Sequence, residues 1–593
     1  MCILKVTVIM LAEEPFPKAA DRPRFAWKSL LILPAAILPY LPSLTYGFVY
    51  DDDVQVLRMP AVHPWHFVPG YFFSPIPGFA AHYYRPIFFL WLRLNHFLWK
   101  THPLGWHLDN LILHVVATLL VFAVLGRYFQ DQRSAAVGAL IFAVHPVHVE
   151  TVAWVSGCTD ALMTVCLLGS LWLQMRNCEA RSILRRVGAL VCCALALLTK
   201  ETAVILPAVI FFHVLAGIPT DGLLPKEKNG RLRFAMRETT PYLMVTALYL
   251  VVRFWVLHQA SSAVPEWISR REAILTMPSV LLFYLKHMIW PFKLSLNYDL
   301  PIASQVSSYQ LWMPLMILAA GGSTIWVWLQ RSREKKIIVA VLWLLLPLAP
   351  VLYIRLFAQD DFVHDRYLYL PVLGLSVLAG MLAEFLWKSG AWEKERGWPQ
   401  AAVGVAVALL ALVTVVQEQP WRNNFVLYGN AVRVSPNNML GRNNLAREYV
   451  NHGRYVEAGE MFKAILDERP GMWLANYNYG YINYLLGNLA LAEDYLRRAI
   501  RIDSSDPDQY ICLGATYLKE GRPADAARQV REAIARRPDG AGYHFTLGII
   551  EWQQGNLALA REQMLEELKY HPETRLARVQ IEAIEKELAA RAH

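Results

Sequence analysis

Charge is scarce in this chain, and cysteine has no pattern. Of 593 residues, 18% are charged and 55% hydrophobic, with 20 tryptophans and a positive mean hydropathy. That balance excludes an ordinary soluble protein, and the length allows two or more units. The seven cysteines (Cys2, Cys158, Cys166, Cys178, Cys192, Cys193, Cys512) lie mostly in or beside apolar runs without paired spacing. Neither a disulfide framework nor a Cys-x-x-Cys metal site follows. Met1 to Ala12 is too short to span a membrane, and no small-residue cleavage site precedes Glu13-Glu14-Pro15, so no cleaved signal peptide is expected. The basic excess is uneven. From Asn437 onward 20 Lys and Arg face 22 Asp and Glu, leaving 37 of the 57 against 26 of the 48 for the preceding part. The basic balance therefore reports membrane orientation and not nucleic-acid binding.

What is present is a series of apolar runs of about twenty residues, the length that crosses a bilayer. The first runs from Ser29 to Phe48 and follows Lys5, Lys18, Arg22, Arg24 and Lys28. By the positive-inside rule, residues 1–28 are a cytoplasmic tail. Further spans are expected near 107–126, 135–153, 159–175, 187–199, 201–216, 241–258, 311–329, 337–354, 368–387 and 400–417. Ile87 to Trp99 is too short and reads as an amphipathic interfacial helix, with Arg85, Arg93, His96 and Lys100 along one face. The short pair meeting at Thr199-Lys200-Glu201 is expected to dip from a recessed outer surface, carrying Lys200 and Glu201 into a water-filled cavity. Ile274 to Trp290, interrupted by Lys286 and His287 and ended by Pro291, is left out of the count. The fold expected is all-α, with a polytopic helical membrane domain of about 11 spans and a helical repeat domain outside.

With that topology, polar groups collect at the outer ends of different helices: Asp51, Asp52 and Asp53, Arg85, His145, His148 and Glu150, Asp160, Lys200 and Glu201, and His364, Asp365 and Arg366. A solvated acidic cap would explain the aspartates alone. A charge at bilayer depth costs roughly 2.5–3.5 kcal/mol, so a convergent set points to a site. The mix suits one chemistry. A carboxylate takes a proton from an attacking hydroxyl, while Arg, Lys, His or a carboxylate-bound divalent ion neutralises a phosphate leaving group. His145, His148 and Glu150 offer metal-ligand types at a weakly diagnostic spacing.

Phe48-Val49-Tyr50-Asp51-Asp52, Tyr84-Arg85-Pro86 with Arg93-Leu94-Asn95, Gly105-Trp106-His107, Asn110, His114, His145-Pro146-Val147-His148-Val149-Glu150, Lys200-Glu201 and Asp365-Arg366-Tyr367-Leu368-Tyr369-Leu370-Pro371 stand in an order that resembles the transmembrane and tetratricopeptide-repeat O-mannosyltransferase family, of the GT-C glycosyltransferase class. The resemblance implies a GT-C-like membrane domain over 29–417 with a catalytic first outer loop at 49–106. It implies a polyisoprenyl-phosphate sugar donor and inverting transfer on the luminal or periplasmic face. Asp51 is then the first-placed base and Asp52 the second. Arg85, Lys200 and Arg366 become the cations for the donor phosphate, with Asp160, Glu201 and Asp365 in support. Two positions depart from the family pattern: Gly-Arg-x-Asp reads Gly157-Cys158-Thr159-Asp160, and the repeat array is short.

From Trp421 the composition becomes that of a soluble helical domain. Gly453, Gly487, Gly521 and Gly555 recur every 34 residues, as do Ala458, Ala492, Ala526 and Ala560, and Ala446, Gly480, Gly514 and Gly548. Small residues at that period let paired helices approach closely, which is the tetratricopeptide signature. Residues 418–593 read as a leading half repeat, four repeats and a capping helix from Arg575 to Arg591, a concave surface for a protein or peptide acceptor. Together with these repeats, the resemblance implies a glycosyltransferase of the bacterial inner membrane or the endoplasmic reticulum membrane that moves a mannose-like sugar to a protein Ser or Thr. An O-antigen ligase or polymerase-like transferase, and a non-catalytic repeat scaffold, are the other readings.

Overall fold

The computed structural model describes residues 31–58, 65–74, 83–129, 131–217, 227–258, 267–332, 334–389, 398–572 and 574–592. The tail 1–28 and the basic residues Lys226, Arg333, Lys394 and Arg396 lie outside them. Helices are the regular structure of the described residues, which hold one isolated bridge (Ala358 with Asp361) and no strand. Two compact units divide between Ser435 and Pro436. The helix Asn424–Val434, read above as a leading half repeat, therefore packs with the first unit.

In the first unit the helices Thr159–Glu179 and Ile183–Thr199, and likewise Gln132–Val144 and Val372–Lys388, pack closely against each other. The second pair approaches so closely that a Cβ on Gly138 would stand 2.5 Å from the Ser376 carbonyl oxygen. The peripheral helices are apolar on their open sides. On Trp398–Glu418 the exposed residues Val405, Leu409, Leu412 and Val416 follow helical spacing. A soluble monomer rarely exposes such a stripe, whereas hydrocarbon accepts it.

Six described helices are long and apolar enough to cross a membrane, or seven if the bent pair Gln132–Val144 and Pro146–Ala153 is one span, so the expected eleven is not reached among the described residues. Two causes are visible. Pro347 and Pro350 stop the helix Lys335–Leu345 after 11 residues, and Lys200 breaks the run at 183–216 in an extended conformation. In the other direction, the run left out of the count forms the 20-residue helix Arg270–Ile289, one of the six. Ser269 and Glu272 close a capping box at its start, and Lys286 and His287 sit in its last turn. Cations there complement the helix dipole, so they end the helix and do not interrupt it.

The short helix Pro86–Trp99 also differs in its faces. Arg93 is buried with its guanidinium 4.0 Å over Trp65, while Leu94, Phe97 and Leu98 are exposed, so the open face is apolar and not basic.

The second unit is built of antiparallel helix pairs from Met439–Asn451 to Leu557–Tyr570, followed by Arg575–Ala592. Gly453, Gly487, Gly521 and Gly555 all take positive φ, between 72° and 83°, at the turn inside each pair. Ala458, Ala492, Ala526 and Ala560 are all fully buried where the helices of a pair meet. The 34-residue lattice is thus one left-handed turn and one close contact, repeated four times.

Candidate functional site

The polar positions of the first unit divide between the two ends of its helices. Thr159–Glu179 begins with Asp160 and ends with Arg176 and Glu179, about 30 Å away at 1.5 Å per residue. At the far end Arg127 pairs with Glu179, Arg181 with Glu238, and Lys336 with Glu384. Arg85, Glu201, Lys200, Glu150 and Arg366, from segments widely separated in sequence, pair at the Asp160 end.

There each cation has one carboxylate. Arg85 grips Glu201 through two bonds of 3.0 and 2.6 Å. The Lys200 ammonium donates to both oxygens of Asp160 at 2.7 and 2.6 Å. Arg366 binds Glu150 through its guanidinium and, at 2.9 Å, its own backbone N–H. The Tyr367 ring lies between two of these pairs, 4.8 Å below the Lys200 ammonium and 5.3 Å from the Arg366 guanidinium. Three pairs, one fully buried and two partly so, balance each cation with a carboxylate while fixing where it points, which a lone buried charge could not sustain. Lys200 is 2% exposed, closed in by Asp160 and not set in an open cavity, whereas the Glu201 side chain is 32% exposed.

Tyr50 precedes the aspartates with φ of 56°, unusual for a residue with a Cβ. Its N–H donates to Asn424 at 2.7 Å, and its ring lies 5.3 Å from that of Trp154, which stacks on Trp421. Asp51 is partly exposed and accepts from the Gln55 amide at 3.2 Å. Asp52 is wholly buried. It accepts from the Ser156 N–H at 2.9 Å, the Ser156 hydroxyl at 2.6 Å and the Val49 N–H at 3.1 Å. Burial pushes its carboxyl up to about 6 against those donors. The two aspartates thus differ in kind: Asp52 clamps the first loop to the turn after Trp154, and Asp51 stays accessible. Asn110 holds that turn from the other side, donating to the carbonyls of Trp154 and Val155 at 2.9 and 3.2 Å.

The metal reading does not hold. Glu150 is committed to Arg366. The His145 Nε2 meets the Met288 carbonyl at 3.0 Å, while its Nδ1 accepts from the Val147 N–H at 3.4 Å as a helix cap. His148 sits in a box of rings, 4.5 Å from both Phe142 and Tyr369. Among the described residues no three His, Cys, Asp or Glu groups are placed to hold a metal ion. Asp365 also turns away from the cations, since its carboxylate takes the Tyr298 hydroxyl and the Ser295 N–H, and burial raises it.

Asp361 was not singled out from sequence. It accepts from the Asn297 amide at 3.1 Å and lies 3.5 Å from the Tyr50 hydroxyl. Burial pushes its carboxyl up to about 6, opposed by Arg366 and aided by Asp51. A signal existed: Asp360-Asp361 repeats the doublet of the first loop, five residues before Arg366.

Residues 85–228 match the family described as dolichyl-phosphate-mannose-protein mannosyltransferase, and 443–507 and 513–573 match the tetratricopeptide repeat. The chain is similar to protein O-mannosyl-transferase TMTC3 of Homo sapiens, at 25% identity over 91% of this chain and 64% of that protein. It is similar to Tmtc1 of Drosophila melanogaster at 23% identity over 75% and 62%. To the Caenorhabditis elegans protein O-mannosyl-transferase F38B6.6 it is 35% identical over 28% and 25%. The chain therefore spans less than two thirds of the length of these relatives. The resemblance read from the motifs is borne out.

Proposed function

We propose that the protein is a membrane O-mannosyltransferase that moves mannose from a polyisoprenyl phosphate to a hydroxyl of a protein acceptor. The observation that carries this reading is the cluster of Arg85, Lys200 and Arg366, each aimed by its own carboxylate, with the accessible Asp51 linked to it through Asp361, on which both Asp51 and Arg366 act. In the transfer, the acceptor oxygen attacks the anomeric carbon and gives its proton to Asp51. The bond from that carbon to the phosphate oxygen breaks with inversion, and the electron pair leaves on the lipid phosphate, whose added charge the three cations offset. Pre-aimed cations need no reorganisation as that charge develops. Asp52 acts by holding the loop. No step is assigned to a metal ion.

The reading places the site on the luminal or periplasmic side of an endoplasmic reticulum or bacterial inner membrane, and gives the repeats the acceptor. Full-length protein in nanodiscs, supplied with polyisoprenyl phosphomannose and a Ser/Thr peptide, should release lipid phosphate and mannosylate the peptide. Absence of both products across mannosyl lipids of bacterial and eukaryotic chain length would sink the reading.

A further inference from the structure

Asp361 resembles Asp51 in an unexpected respect. Each follows a residue with a Cβ in the left-handed conformation, Tyr50 at φ 56° and Asp360 at φ 66°. The Asp361 side chain keeps 21% of its exposure, so it is open on one side. Behind it stands Asn297, 1% exposed, whose amide nitrogen donates to Asp361 at 3.1 Å. The oxygen of that same amide is buried with no partner. An orphaned acceptor in the interior is costly to leave unpaired, and a ligand hydroxyl would satisfy it. The surroundings favour a pyranose over a plain hydroxyl. The Tyr50 hydroxyl lies 3.5 Å from Asp361, the Tyr50 ring 5.3 Å from that of Trp154, and the Arg366 guanidinium 5.2 Å over Trp154.

We propose that Asp361 and Asn297 form the subsite that reads the hydroxyls of the transferred hexose, the carboxylate accepting from one or two ring hydroxyls and the amide oxygen from another. This rests on the mannosyltransferase reading and assigns the recognition of the sugar, as distinct from its phosphate, to residues outside the three cation pairs. Asp361 is then a binding residue whose loss falls on the sugar-dependent part of affinity.

The test is a titration of full-length protein in nanodiscs with a short-chain polyprenyl phosphate, the same lipid phosphate carrying mannose, and its glucose epimer. Wild type should bind the mannosyl ester more tightly than both others. Asp361→Asn, nearly isosteric, should lose about tenfold in affinity for the mannosyl ester, as expected for one charge-assisted bond. It should bring the two epimers level and leave the bare lipid phosphate unchanged. If Asp361→Asn keeps the wild-type preference for mannose, the inference is overturned. It is overturned equally if wild type binds bare lipid phosphate as well as the mannosyl ester, with the transferase reading left standing. Binding of no lipid phosphate at all would overturn both. Should Asp361→Asn weaken the bare phosphate too, Asn297→Ala decides: loss of the sugar increment alone supports the subsite, and an unchanged increment refutes it.

Discussion

The repeat unit and the charged end of the membrane unit solve opposite problems with opposite redundancy. In the repeats one solution is written four times: Gly487 has the job of Gly453, and Ala492 that of Ala458. At the charged end each pair joins its own distant segments. Arg85 reaches Glu201 across 116 positions of sequence, Lys200 reaches Asp160 across 40, and Arg366 reaches Glu150 across 216. Stability in a solenoid is a sum of near-identical terms, so one defect is diluted along the array. A buried charge cluster has single points of failure.

The sharpest break of that contrast is Asp51→Asn. It removes the proton acceptor while preserving shape, so transfer should fall between 10² and 10⁴-fold with the melting temperature unchanged. Initial rates with a mannosyl lipid and a peptide measure it, and wild-type turnover would disqualify Asp51. Glu150→Ala comes next. It strands the buried Arg366 guanidinium, for which a loss of about 3–5 kcal/mol is expected in thermal or denaturant unfolding. Glu150→Gln can still accept from the Arg366 backbone and should cost less. Equal losses would mean that the charge alone matters there and that the acceptor Gln retains contributes nothing.

A third test uses pH. Asp52 is held up at about 6 in the fold by burial, above its ordinary value of 3.8. Between those limits the folded state binds the proton that the unfolded chain has released. Stability from this group is therefore full below about pH 4, is lost as pH rises toward 6, and then levels off. Two units correspond to at most about 3 kcal/mol. The difference in melting temperature between wild type and Asp52→Asn should shrink across that window as pH rises. A difference independent of pH would show that the carboxyl is not buried as described.

The contrast also explains what could be read in advance. The 34-residue period of the repeats was legible, because its signals are local and periodic, whereas the expected leading half repeat, Asn424–Val434, packs with the first unit. The members of the charged cluster were legible too, since a charge in an apolar run stands out. Their pairing was not. Nothing in Glu150 says that its partner is Arg366, and the ligand types of His145 and His148 hid a helix cap and a ring-lined box. The helix Arg270–Ile289 was missed because Lys286 and His287 were weighed as an interruption, when their place in the last turn made them a terminus. Asp361 was passed over although its doublet echoes Asp51-Asp52, because only the fold brings the two together.

The smallest effects lie in the repeats, and they separate the two devices within one repeat. Gly480 is a close approach: a Cβ there would stand 2.8 Å from the Leu496 side chain and 3.1 Å from its backbone nitrogen. Gly487 has open space around a Cβ but sits at φ 83°. Gly480→Ala should therefore cost about 1–3 kcal/mol through overpacking, and Gly487→Ala about 1–2 kcal/mol through backbone strain. Hydrogen exchange of the full-length protein should show both as lost protection in Trp473–Leu486 and Leu489–Ile502, fading in more distant repeats. A second substitution tells them apart. Leu496→Ala removes the side-chain atoms that a Cβ on residue 480 would meet, leaving only the backbone nitrogen at 3.1 Å, so with Gly480→Ala the combined loss should fall short of the sum. With Gly487→Ala the losses should add, because no side chain stands in the way of that Cβ. Additive losses in both pairs would mean that the 34-residue glycine row at 480 serves backbone conformation and not the approach of paired helices.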